Sequence, residues 1–133
     1  MQFKVMDISD MSVFDSNSFD MVIDKCTLDC MLECIDPGIA IVQMLKETQR
    51  VLKIARAYLV FSYGRPIDRV YLFTQPFLSL DVQELVIADY SNNYLYINTK
   101  LPDADQKSET HYEAYMNTLL SDAEIYCSDP EIF

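Results

Sequence analysis

Two apolar runs separated by an amphipathic segment constrain the fold of this chain more than any other feature. Residues 19–24 and 58–63 are almost continuously apolar, which is typical of strands buried on both faces of a parallel sheet. A strand, a helix and a second strand predict a βαβ unit in an α/β fold, with residues 19–24 at the centre of the sheet. The helix is predicted over residues 39–53, where apolar side chains recur at helical spacing at Ile41, Met44, Leu45, Thr48, Val51 and Leu52.

Weaker patterns flank this unit. Residues 3–6 are predicted to form a short strand, and the polar residues 10–18 a loop. Residues 66–76 form a proline-interrupted segment, to which we assign no element. Residues 80–88 and 94–99 are apolar and joined by a short polar connection, which predicts an antiparallel hairpin.

The last part of the chain, residues 101–133, is an acidic tail that we separate from a first domain of residues 1–100. Thr110 and Glu113 have the spacing of a helix-capping box. One face of this predicted amphipathic helix is apolar, with Tyr112, Tyr115, Met116, Leu119 and Leu120. We expect that face to pack within the molecule.

The charge balance limits the partners. With 21 acidic and 10 basic side chains, the net charge of −11 opposes binding to phosphate backbones and anionic lipids. Nucleic acid and membrane are therefore excluded as expected partners, which leaves a protein substrate or a protein partner. The sequence has no run of roughly 18 apolar residues, no signal-peptide core and only four scattered cysteines, so we expect a soluble, cytoplasmic protein.

Glycine is scarce in this chain. Average usage of about 7% would give about nine glycines, whereas only Gly38 and Gly64 are present. A glycine-rich loop that cradles a phosphate or nucleotide cannot be built from these residues.

The residues around the first apolar run resemble a known family pattern. Residues 19–29 read Phe-Asp-Met-Val-Ile-Asp-Lys-Cys-Thr-Leu-Asp, which is similar to the string FDVVIDKGTLD, and Asp7 and Met11 precede it as in that pattern. The match continues through residues 44–53 into 58–64 and covers roughly residues 3–100. It identifies the chain as resembling class I S-adenosylmethionine (SAM)-dependent methyltransferases, specifically the group with the elongation-factor-1-alpha lysine methyltransferases and the domain found beside endothelin-converting enzyme.

This resemblance implies a Rossmann-like sheet with strand order 3-2-1-4-5-7-6, in which parallel strands are followed by a C-terminal antiparallel hairpin. The chain corresponds to the C-terminal part of that sheet and lacks the first two strands, with their glycine turn and ribose-binding carboxylate. We therefore expect that these 133 residues do not bind SAM alone. The strand at residues 19–24 would become an edge, covered by residues 3–6, by the C-terminal helix or by another chain.

The family resemblance also implies the cofactor site. Asp7 would lie near the adenine amino group, and the backbone of Ile8 at the edge of the ring. Asp24 and Lys25 would border the methionine part of SAM and the methyl-transfer centre.

The substrate side is implied in the same way. Thr27, Leu28 and Asp29 would shape the entrance for the substrate side chain. Because the sulfonium methyl is already activated, transfer to a lysine amine needs mainly alignment, and Asp24 or Asp29 could orient the amine. We expect no metal ion.

Two departures from the family pattern concern backbone geometry. Cys26 stands where the family has a glycine, and Ile54, Ala55 and Arg56 replace a Pro-Gly-Gly turn. If those glycines have positive φ angles, each replacement costs on the order of 1 kcal/mol.

Three features of the sequence allow more than one interpretation. Cys26, Cys30 and Cys34 recur every four residues, but this spacing matches no common metal motif, and we interpret them as buried small hydrophobic residues. His111, the only histidine, is interpreted as a solvated helix residue. The chain could be a noncatalytic module that pairs with another chain, or belong to a longer, active lysine methyltransferase.

Overall fold

A computed structural model describes residues 2–34, 38–87 and 93–127 of the chain. Within these residues the chain forms four strands and four helices. In chain order they are β1 (Phe19–Lys25), α1 (Thr27–Leu32), α2 (Gly38–Val51), β2 (Leu52–Ser62), α3 (Pro66–Phe73), β3 (Leu80–Ile87), β4 (Asn93–Lys100) and α4 (Ala104–Cys127).

The four described strands form one mixed sheet in the order β1-β2-β4-β3. Strands β1 and β2 are parallel, with Val22 opposite Tyr58, whereas β4 runs antiparallel to both β2 and β3. The βαβ unit and the hairpin are therefore confirmed, although residues 88–92 of the hairpin lie outside the described part. The fold is α/β, and its strand order corresponds to positions 4-5-7-6 of a class I methyltransferase sheet.

The connection from α2 to β2 is tighter than predicted. Helix α2 ends at Val51, and β2 begins at once with Leu52, which pairs with Phe19. The next pair is Met21 with Ala57, so residues 53–56 bulge out of the ladder.

Two predictions about the sheet are wrong. Residues 3–6 form no strand, and Phe3 and Val5 are exposed, because these residues pair with no described strand and the loop that follows them is bonded at Met11 to α2. Strand β1 lies at the edge of the described sheet, as the family resemblance implied, and not at its centre as the apolar run indicated, because no described strand pairs with its other side. On this edge strand Met21 and Ile23 are 52% and 61% exposed.

Helix α3 was missed in the proline-interrupted segment. Pro66 occupies the first turn of α3, where its missing N–H is not needed and its fixed φ favours a helix. Val70, Leu72 and Phe73 then supply the apolar side that packs on the core. The position of Pro66 was the available sequence signal.

The helices cover one face of the sheet, which we call the inner face. Tyr58, Val60 and Tyr96 point from β2 and β4 into a core that also contains Leu45 of α2 and Phe73 of α3. Helix α4 packs on the same core through its apolar side chains Tyr112, Tyr115, Met116 and Leu119, whereas Leu120 is 46% exposed, contrary to the prediction.

Candidate functional site

A buried carboxylate organises the carboxyl end of β1. Oδ1 of Asp24 accepts a hydrogen bond from the backbone N–H of Thr27 at 2.7 Å, and Oδ2 accepts from the N–H of Leu28 at 3.1 Å. These two N–H groups belong to the first turn of α1, which has no intrahelical acceptor for them. The hydroxyl of Tyr58 donates a third bond to Oδ2 at 3.1 Å. Asp24 thus joins β1, α1 and β2.

The environment of Asp24 also changes the acidity of its phenol partner. Burial, and then the adjacent Asp24 carboxylate, raise the pKa of Tyr58 well above its ordinary value. The phenol therefore stays protonated at neutral pH and keeps donating its hydrogen bond.

The turn between β1 and α1 is strained at the position of the missing glycine. Cys26 has φ 61° and ψ 10°, in the left-handed region that disfavours side chains with a Cβ. Ala55, in the segment that replaces the Pro-Gly-Gly turn, has φ 59°. The condition under which these replacements carry a cost, a positive φ angle, is thus met at Cys26 and at Ala55. Lys25, the residue before Cys26, is exposed.

A small cavity of about 100 Å³ lies beside Asp24. Of the residues predicted for the site, Ile8, Asp24 and Thr27 line it together. The other lining residues, which sequence analysis did not assign to the site, are Met11, Val22, Ile23, Met44, Thr48 and Tyr58. Met11 lies inside the matched segment and could have been found there, whereas Thr48 and Tyr58 read only as core positions.

Asp7 does not line this cavity. Its carboxylate is exposed and accepts bonds from the backbone N–H of Ser9 at 2.8 Å and from the Ser9 hydroxyl at 2.7 Å. The hydroxyl bond and then the backbone bond lower the pKa of Asp7. Asp7 shapes the turn that carries Ile8.

Asp29 lies on α1, apart from the cavity, and its side chain has no exposed surface. Its carboxylate accepts bonds from the Ser62 hydroxyl at 2.6 Å, the Tyr63 N–H at 3.1 Å and Nε of Arg69 at 3.1 Å. These bonds tie α1 to the end of β2 and to α3. A Cβ at Gly64 would overlap the Arg69 guanidinium, so a side chain at this position would require Arg69 to move.

Leu28 and the cysteines take structural positions. Leu28 is fully buried in the core beneath α1. Cys30 and Cys34 are exposed and Cys26 is half-buried, so the interpretation of the three as buried hydrophobic residues is wrong. The buried side of the short helix α1 is formed by Leu28 and Asp29 instead.

A larger, open cleft of about 580 Å³ separates the N-terminal loop from α2 and α4. The ion pair that lines this cleft, Glu47 with Arg50 at 2.6 Å, is hydrogen-bonded to Met11 of the loop itself. The smaller cavity, where the predicted residues meet, is therefore the stronger candidate site.

None of the helices in the described ranges has the length and hydrophobicity that crossing a bilayer requires. No group of three or more His, Cys, Asp or Glu side chains in residues 2–34, 38–87 and 93–127 is arranged to hold a metal ion.

Comparison with solved structures gives the same fold. A SAM-dependent methyltransferase from Methanosarcina mazei superimposes with a TM-score of 0.57 at 19% identity, over 75% of this chain and 67% of that protein. A putative DNA modification methylase from Thermus thermophilus gives a TM-score of 0.44 at 13% identity, over 68% of this chain and 48% of that protein. No protein-family profile and no curated protein matches the sequence. The first likeness shows that the chain has a SAM-dependent methyltransferase fold, over about two thirds of that protein's length.

Proposed function

We propose that this chain supplies the adenine and methyl-transfer side of a SAM-dependent methyltransferase site whose methyl acceptor is a protein lysine. The observation that supports it is the meeting of Ile8, Asp24 and Thr27 around one cavity at the carboxyl end of β1. Ligands of open α/β sheets bind at this end of the strands. The lysine acceptor itself is proposed from the family string at residues 19–29.

We also propose that these 133 residues do not hold SAM by themselves. Ligand sites usually have volumes of roughly 300–1,000 Å³, and the cavity of about 100 Å³ is too small to enclose a nucleoside. With only two glycines, the chain has no glycine-rich turn for close approach to the cofactor. The cavity is then one wall of a larger site.

In this proposal the residues divide by role. Ile8 and Met11 contact the adenine side, and Asp7 holds their turn. Asp24 acts mainly by fixing the β1–α1 turn, because its carboxylate already accepts three hydrogen bonds. Lys25, which is exposed, is the nearest cationic side chain to the proposed methyl-transfer centre along β1.

The proposal also gives roles to three residues of α1, namely Thr27, Leu28 and Asp29. Asp29 acts through Tyr63 and Arg69, because its carboxylate is enclosed by their bonds. Thr27, exposed at the mouth of the cavity, faces the acceptor, while Leu28 supports it from the core. A cytoplasmic location stays a prediction.

Two measurements on the whole chain test the proposal. Isothermal titration calorimetry should detect no micromolar binding of SAM, and a micromolar dissociation constant would show that the chain is sufficient. Methyl NMR with millimolar SAM should shift the resonances of Ile8 and Met11, with Ile67 on α3 as the internal reference. Equal or absent shifts at these positions would refute the assignment of the cavity to the cofactor.

A second candidate is a noncatalytic module that pairs with a second copy of the chain along β1. This is favoured by the open edge of β1, where Met21 and Ile23 are more than half exposed. The apolar side of α4 is used within the molecule, which leaves the edge as the candidate surface. Light scattering at rising protein concentration should then detect a dimer that Ile23→Lys abolishes, whereas a clean monomer throughout would remove this candidate.

A further inference from the structure

The loop that carries Ile8 and Met11, residues 2–18, forms no strand of the sheet, and the bond from Lys100 of β4 holds only its last part, at Asn17. Residues 2–18 contain no helix or strand, and their internal hydrogen bonds are short-range turns such as Ser12 N–H to Asp10 Oδ1 at 3.0 Å. Such bonds shape a turn but do not fix its place on the rest of the molecule. The position of the loop therefore depends on bonds to residues far along the chain.

An ion pair on α2 makes most of those bonds. Glu47 and Arg50 are joined by two bonds, Nε to Oε1 at 2.6 Å and Nη2 to Oε2 at 2.7 Å. Oε2 of Glu47 accepts the backbone N–H of Met11 at 2.9 Å, and Nη2 of Arg50 donates to the Met11 carbonyl at 2.9 Å. Both backbone polar groups of Met11 are thus held by one side-chain pair.

Arg50 also secures the rest of the loop. Its Nη1 donates to the carbonyl of Phe14 at 2.9 Å and to the hydroxyl of Ser16 at 3.2 Å. Together with the bonds to Glu47 and Met11, these account for five hydrogen bonds, and a guanidinium has five N–H donors in a rigid planar arrangement. A lysine, with three donors on a flexible stem, could not make all of these contacts.

We propose that Glu47 and Arg50 are the positioning pair of the candidate site. By holding Met11 from both sides, they set Ile8 and Met11 against Asp24 and Thr27 across the cavity. This inference rests on the proposed cofactor-side function, but it assigns a role to two residues that do not contact the cavity. Arg50 has no donor left over for a ligand, so its role is indirect.

The sharpest variant exchanges the two residues, Glu47→Arg with Arg50→Glu. The exchange restores an ion pair between positions three apart on α2, so a purely structural salt bridge would be retained. However, it turns a donor toward the Met11 N–H and an acceptor toward the Met11 carbonyl. The exchanged chain should keep the melting temperature of the parent to within a few degrees but lose the position of the loop.

The readouts are amide hydrogen exchange and methyl NMR on the full chain. In the exchanged variant, exchange at the Met11 amide should accelerate by at least about tenfold, because the Glu47 acceptor of its charge-assisted hydrogen bond is gone. Arg50→Lys keeps that acceptor but loses contacts that fix the loop and orient Glu47, so Met11 exchange should accelerate there as well. The methyl resonances of Ile8 and Met11 should move, and their shifts with millimolar SAM should weaken. Arg56→Lys is the matched control, because Arg56 only approaches the exposed Asp20 at 3.5 Å, and it should change none of these.

The outcomes separate this inference from the proposed function. Unchanged Met11 exchange and unchanged Ile8 and Met11 resonances in the exchanged variant would overturn the positioning role, even if the parent chain responds to SAM. If SAM leaves the parent unaffected while Met11 exchange still accelerates in the variants, the cofactor proposal fails and the role of the pair in holding the loop stands. If the exchanged chain unfolds, Arg50→Lys decides between the same two results.

Discussion

The two faces of the sheet are built from alternate residues of the same strands, yet their side chains differ in burial. On the inner face Tyr58, Val60 and Tyr96 are at most 2% exposed beneath the helices. On the opposite face, which we call the outer face, Ile23 of β1 and Leu85 of β3 are more than half exposed. The half-buried residues between them on the outer face are also apolar, namely Leu59, Phe61, Leu95 and Ile97.

This difference separates apolar character from burial. Both faces have the composition of a sheet covered by helices on two sides. The described helices that supply core residues cover only the inner face, so the outer face contributes less to the stability of this chain. Its exposed apolar side chains, Ile23 and Leu85, are available to a partner.

The largest expected effect is on the free energy of unfolding and comes from the enclosed ion pair of Asp29 and Arg69. Arg69→Ala would leave the enclosed Asp29 carboxylate without its cationic partner, at a cost of about 3–5 kcal/mol in the free energy of unfolding. Urea denaturation measures this value. Arg65→Ala is the control, because Arg65 pairs with Asp68 at an exposed site, and a loss for Arg69→Ala no greater than for this control would contradict the assigned role of the pair.

A leucine pair compares the two sides directly. Leu45→Ala, at a position 2% exposed in α2, should reduce the free energy of unfolding by about 2–5 kcal/mol through lost burial and a cavity. Leu85→Ala, 52% exposed on the outer face, should cost less than about 1 kcal/mol. Equal losses in denaturant titrations would mean that the outer face is covered in solution.

Relieving the backbone strain at Ala55 should stabilise the chain, and the two faces of the sheet could then be compared in a more stable parent. Ala55→Gly should raise the free energy of unfolding by about 1 kcal/mol, because the φ of 59° disfavours a Cβ. Ala57→Gly, the same change two residues along in the regular ladder of β2, should lower it by roughly 0.5–1 kcal/mol. Thermal unfolding of both variants checks the opposite signs, and a loss in both would argue against strain at Ala55.

The smallest effect concerns pH and the loop on the inner side. The hydrogen bond from Arg50 is the largest cause that lowers the pKa of Glu47 below its ordinary 4.5. Desolvation of Glu47 and the nearby Asp10 charge act in the opposite direction but are outweighed. Since the folded-state pKa is depressed, the stabilisation is present above pH 4.5 and is lost as the pH falls through the lowered value. Parent and Glu47→Gln chains should therefore differ in melting temperature near pH 6 and converge in acid, and a constant difference would show that Glu47 does not titrate in this way.

Local patterns predicted most of the secondary structure. The spacing of apolar residues was sufficient for β1, α2 and the β3–β4 hairpin, because these elements are defined by neighbours along the chain. It failed for residues 3–6, where three apolar residues, Phe3, Val5 and Met6, had no described strand to pair with. The family pattern marked Cys26 and Ala55 as positions where a glycine would relieve a positive φ, and both have positive φ angles.

The candidate site was less predictable for a physical reason. Asp24 and Asp29 both read as carboxylates at the end of a strand or in a short helix, and sequence cannot show how many donors each one meets. Those donors come from up to 40 residues away, as with Arg69 and Asp29. Arg50 likewise reaches Met11 across 39 residues, a contact that helical periodicity does not encode.

By itself the sequence determined the strand–helix–strand order, the scarcity of glycine and the apolar character of both faces of the sheet. The tertiary structure decided which face is covered, that Asp29 is enclosed while Asp24 caps α1, and that α2 holds the loop beside the cavity. Periodicity and composition are properties of neighbouring residues, so they can be read from the sequence alone. Burial, carboxylate pairing and loop position arise from contacts between distant segments, and these exist only once the chain has folded.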